Sequence, residues 1–135
     1  HQVLIRDAGI QKQVHFPNRF YFDKELTQLS KTCMAGLALY TTDNTNTIYY
    51  SDPGKIKAYA EMNLPLIMSK TSSIMPYIKK YHAGEVIERT PEALFTAVTK
   101  IKRSFDSYQR GLEAFNNFFY YDSYYAKHFR HLEES

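Results

Sequence analysis

Residues 51–70 read SDPGKIKAYAEMNLPLIMSK, and the fold turns on how these twenty residues divide. Ser51 and Asp52 are N-cap types, and Pro53 suits the first turn of a helix, where its missing N–H is no loss. Ile56, Tyr59, Ala60 and Met62 keep helical spacing. Asn63 interrupts it. Leu64–Met68 is then a short apolar run bounded by polar residues, the pattern of a strand buried on both faces. A capped helix leading directly into a buried strand is half of a βαβ unit.

The same alternation extends in both directions. Upstream, AGLALY (35–40) is a second continuous apolar run, followed by the polar loop TTDNTNT (41–47). Asp23 is placed to cap a helix over 24–32 with Leu26 and Leu29 inward. QVHF (13–16) is a strand candidate ended by Pro17 and Asn18. Leu4, Ile5 and Ala8 read as a helix end with Gly9 as its stop. Downstream, Ser72 and Ser73 cap a helix through Tyr81, and Gly84–Ile87 is a weaker strand. Thr90, Pro91 and Glu92 open another helix, with Thr90 as cap, Pro91 first and Glu92 near the positive end of the dipole. Leu94, Val98, Ile101 and Phe105 form its apolar face. Residues 106–135 form a C-terminal helical tail. The expected class is therefore α/β: a Rossmann-like parallel sheet of about four strands flanked by helices, with aromatic-rich C-terminal helices. In such sheets ligands bind at the carboxyl ends of the strands, which selects the loops at 41–52, 69–73 and 88–91.

The totals narrow the function. The 135 residues suffice for one domain, and a net charge of +3 does not suggest nucleic acid as a partner. Lys79-Lys80 and Lys100–Arg103 read as solvated helix faces. With a single cysteine, Cys33, there is no internal disulfide, and a reducing compartment fits. No apolar run reaches the ~20 residues that span a bilayer. Of the 12 Tyr and 9 Phe, eight aromatics fall between Phe115 and Phe129. That tail suits packing within the domain, packing against another domain, or a membrane interface.

Residues 36–95 resemble the nucleotide-sugar-binding, C-terminal domain of GT-B glycosyltransferases of group 1 type. The residues that carry the resemblance are Pro53-Gly54-Lys55, Tyr59, Asn63, Pro65, Gly84 and Thr90-Pro91-Glu92-Ala93-Leu94. It implies that residues 1–135 are one partial Rossmann-like donor-binding domain, taken from a longer two-domain chain whose N-terminal acceptor domain is a missing partner. The implied reaction moves a sugar from a nucleoside diphosphate sugar to an acceptor hydroxyl, with cell-surface polysaccharide or glycolipid as the product class. The nucleotide sugar is a substrate; no cofactor or metal is expected. A cytoplasmic site at the inner face of the membrane, peripheral membrane association and dimerisation of the fragment are further expectations. The fragment alone is expected to be inactive.

The candidate donor- and phosphate-binding residues are Tyr40, Thr41, Asp43, Ser51, Pro53, Gly54, Lys55, Ser69 and Lys70; no catalytic residue is assigned. Backbone N–H groups at a helix start hold an anion without any charged side chain, Gly54 permits close approach, and Lys55 adds charge. The competing reading is a capped surface helix with a solvated lysine. Asp43 is equally an ordinary turn residue, and Ser69, Lys70 and Thr71 equally a polar strand-to-helix turn. Glu88 and Arg89 are weaker candidates for contact with the nucleotide. The family's two glutamates fall here at Ala58 and Tyr50, which leaves ribose recognition and stereochemistry open. Those positions also favour an alternative: a non-catalytic domain of the same fold with a structural or interaction role. His128 and His131, three apart, lack further metal ligands.

Overall fold

The computed structural model describes residues 2–15, 17, 19–40, 54–70 and 73–119. Its elements, in order, are α1 (Gln2–Asp7), α2 (Asp23–Ser30), β1 (Gly36–Ala38), α3 (Gly54–Glu61), β2 (Leu66–Ser69), α4 (Met75–Tyr81), β3 (Gly84–Ile87), α5 (Pro91–Arg103) and α6 (Phe105–Phe119). The three strands form one parallel sheet in the order β1-β2-β3. Leu37 lies opposite Ile67, and Ile67 opposite Glu85. This is a small α/β domain, Rossmann-like in the generic sense.

Alternation along β2 sorts the core into two layers. Leu66 and Met68 point to one face, where α3, α4 and α6 bring Ile56, Ala60, Ile74, Ile78, Leu112 and Phe115. Ile67 points to the other, where α5 brings Ala97 and Ile101, and Tyr108 of α6 joins them. Every residue of β2 is buried, as its unbroken apolar run requires.

Helix ends follow local chemistry. The Thr90 hydroxyl accepts from the Ala93 N–H at 3.2 Å, with Pro91 in the first turn, as expected. Gly9 takes a φ of 66° after α1. Asn63 and His82 take φ of 58° and 55°, the left-handed stop that turns α3 and α4 into the strands after them. The Asn116 carboxamide adds a donor to the Ala60 carbonyl, at 2.8 Å.

Five expectations are corrected. The sheet has three strands among the described residues, not four. QVHF does not pair: the N–H groups of Gln13 and Val14 both bond the Ile10 carbonyl, which makes a turn, and the exposed Gln13 and His15 offer no face to bury. Phe16 lies outside the described residues. Nor is β1 buried on both faces. Leu37 is 47% exposed because α5 covers β3 and leaves the outer strand bare. Asp23 does not cap α2. Phe22 holds the cap position, and its N–H bonds the Glu25 carboxylate at 3.0 Å, which also takes Arg19 at 2.9 Å. That bidentate contact with the guanidinium, more than the Phe22 N–H, holds Glu25 below the usual carboxylate range. Finally, α4 begins at Met75 rather than just after Ser73, with Pro76 in its first turn.

A polar cluster around the buried Tyr108 fastens α6 to β3. The Tyr108 hydroxyl donates to Glu85 at 2.6 Å, Lys100 reaches the same carboxylate at 3.1 Å, and the His82 ring stacks on Tyr108 at 4.2 Å. Burial first, then the bond to Glu85 and its charge, push the Tyr108 phenol upward. An unfolded tyrosine ionises near pH ~10. Above that pH the unfolded chain releases a proton that the folded chain keeps. Stability is therefore intact below pH ~10 and declines as pH rises further, with a limiting slope of about 1.4 kcal/mol per unit for each such group. Urea titrations across pH 8–11 should show this decline, and Tyr108→Phe should make it shallower.

Candidate functional site

In a βαβ unit the helix runs back against the strands, so its first turn stands at their carboxyl ends. α3 obeys this. Lys55, in its first turn, places Nζ over the Tyr40 ring, 5.9 Å from the centroid, just beyond the end of β1. Gly54, the first described residue of α3, is exposed, and a Cβ there would meet nothing within 4 Å. No packing demand explains a glycine at that position. Ile56, the next residue but one, is fully buried and anchors the turn to the sheet. The first turn of α3 thus sits at the carboxyl edge of the sheet, anchored by Ile56, with Gly54 exposed. Amides so placed attract an anion, with Lys55 adding charge.

Tyr40 is half-buried. Burial, followed by the neighbouring Tyr59, pushes its phenol above the ordinary value, so it stays a neutral hydrogen-bond donor through the physiological range. Its backbone is held from the adjacent strand. The Ser69 hydroxyl accepts from the Tyr40 N–H at 2.8 Å and donates to the Tyr40 carbonyl at 3.0 Å.

The candidate residues therefore divide. Tyr40, Gly54 and Lys55 gather at one edge. Ser69 reaches that edge from beneath: it is 1% exposed and engaged with the Tyr40 backbone, a role that its position in a strand-to-helix turn did not announce. Lys70 turns to the α5 side and pairs with Glu88, both exposed. The pair borders a hollow of about 370 Å³ that also meets Glu85, Thr96 and Lys100. Thr41, Asp43, Ser51 and Pro53 lie outside the described residues, as do Tyr50 and Thr71. Ala58 is half-buried along α3. A larger hollow of about 600 Å³ lies at the opposite end of the sheet, between Asn63 and residues 106–117 of α6. Its acids, Asp106 and Glu113, flank Arg110, and Asp106 already places a carboxylate in the first turn of α6, so the hollow does not share the chemistry of the carboxyl edge.

Among the described residues no three His, Cys, Asp or Glu side chains stand together as a metal site. No described helix is long and apolar enough to cross a membrane. Comparison of the chain with protein-family models, with curated proteins and with solved structures finds no match.

Proposed function

We propose that the edge formed by Tyr40, Gly54 and Lys55 holds the diphosphate of a nucleoside diphosphate sugar. On this reading the chain is the donor-binding part of a GT-B glycosyltransferase that moves the sugar to an acceptor hydroxyl, in polysaccharide or glycolipid synthesis at the cytoplasmic face of a membrane. The observation that carries the proposal is the first turn of α3 at the carboxyl end of β1, with Gly54 exposed and the Lys55 ammonium over the Tyr40 ring. Negative charge grows on the departing diphosphate as the glycosidic bond breaks. Fixed amide dipoles and an ammonium aimed at that position stabilise the charge where it develops. Thr41, Asp43, Ser51 and Pro53 would complete the pocket, with Lys70 as a second cation once released from Glu88. The acceptor side belongs to a further domain, so this piece binds donor without turnover.

Calorimetric titration with UDP and GDP tests the reading. Lys55→Ala should weaken binding by about tenfold, the loss of one charge-assisted contact. Gly54→Ala should leave stability unchanged or raise it by about 0.5 kcal/mol, because the space is open and alanine favours the helix. It should nonetheless weaken nucleotide binding by placing a methyl group where phosphate approaches. Binding unaffected by both substitutions would count against the proposal. A second reading, a domain that keeps the fold without the chemistry, is favoured by Ala58 and Tyr50 at the positions of the family's glutamates. It predicts no heat at millimolar nucleotide.

A further inference from the structure

Ser69 ends β2 at 1% exposure, and its hydroxyl engages the backbone of the neighbouring strand. It takes both backbone polar groups of Tyr40, the N–H at 2.8 Å and the carbonyl at 3.0 Å. Strand pairing between β1 and β2 runs as far as Ala38 opposite Met68. Two residues further on, where the strands would otherwise begin to part, one side chain replaces the next rung of the ladder. It uses its donor and an acceptor lone pair together. The bridge therefore fixes the position of Tyr40, the last described residue before Gly54. That residue carries the ring beneath the Lys55 ammonium.

We propose that Ser69 is a positioning residue for anion binding at this edge. By clamping the Tyr40 backbone it holds the ring and the Lys55 ammonium in register with the first turn of α3, without touching the ligand itself. The inference rests on the diphosphate reading above. Its chemistry is separate from that reading, because it concerns a buried bridge rather than a contact with phosphate. Without the hydroxyl, the Tyr40 N–H and carbonyl lose their partner and the strand end frays. The anion then has to order the edge as it binds, which lowers affinity.

The test uses the 135-residue chain, with UDP and GDP as probes. Ser69→Ala should accelerate hydrogen exchange at the Tyr40 amide and weaken nucleotide binding by about five- to tenfold. Ser69→Thr keeps the hydroxyl on a residue suited to a strand and should stay within about twofold of wild type. Ser69→Cys nearly preserves volume but weakens both bonds, and it carries the test if the alanine variant does not fold. Faster Tyr40 exchange with wild-type affinity in Ser69→Ala or Ser69→Cys would make the bridge purely structural and overturn the proposal. Unchanged exchange and affinity would overturn it too. A wild-type chain that binds neither nucleotide would overturn the diphosphate reading itself, and the inference with it.

Discussion

Phe115→Ala should cost about 4 kcal/mol, a large share of the ~5–15 kcal/mol that separates folded from unfolded domains. Phe115 is 0% exposed. Its ring lies 4.7 Å from that of Phe119 and meets Tyr81 edge-on at 6.4 Å. It shares its cluster with Ile78 of α4, Ile56 and Ala60 of α3, and Leu66 and Met68 of the sheet. Truncation loses the transfer energy of the ring and leaves a cavity that rigid neighbours on three helices cannot close. Urea unfolding should show the midpoint falling with an unchanged slope. A loss below about 1 kcal/mol would mean that α6 is not the brace described here. The edge proposed to hold an anion should suffer as well, since α3 keeps its place through the same cluster.

Gly111→Ala is the second large effect, and its sign is diagnostic. In an exposed helix interior the change to alanine gains about 1 kcal/mol. Here a Cβ on Gly111 would stand 2.3 Å from the His82 carbonyl oxygen and 2.4 Å from that of Tyr81. Both are backbone atoms, so no side chain can swing aside. α6 must withdraw from the end of α4, parting the His82–Tyr108 stack and loosening the bond to Glu85. Overpacking of this kind costs about 1–3 kcal/mol. With two backbone atoms in the way the cost lies at the upper end, about 3 kcal/mol, and after the gain of about 1 kcal/mol in helix propensity a net loss of about 2 kcal/mol is expected, read from the same urea curves. Ala114, exposed on the same helix, provides the control. Ala114→Gly should cost about 1 kcal/mol from propensity alone. Stabilisation by Gly111→Ala would refute the close α4–α6 approach.

What was legible in the sequence was what local chemistry decides. Thr90-Pro91-Glu92 opens α5 because cap, imino acid and dipole act within one turn. The runs LIMS and GEVI are parallel strands because they are short, largely apolar and separated by a helix. The failures share a different cause. QVHF has strand composition, but a strand also needs a partner and a face to bury, and neither is a local property. Asp23 has cap composition, yet Glu25 with Arg19 satisfies the Phe22 N–H instead. The exposure of Leu37 follows from which strand ends up outermost. At the candidate site, Gly54 and Lys55 were legible as a helix start. The bridge from Ser69 to Tyr40 was not, because it spans 29 residues of sequence and arises only when β1 and β2 lie side by side. A buried polar residue closing an apolar strand was the available hint.

The account depends on the amide of Gly54 meeting phosphate. The most direct measurement is the ¹H–¹⁵N shift of that amide as UDP is added, set against uridine, which carries the base and ribose but no phosphate. The account predicts a saturable shift at Gly54 and Lys55 with UDP and none with uridine. Equal shifts with both, or a Gly54 resonance that UDP leaves in place while other residues move, would contradict it.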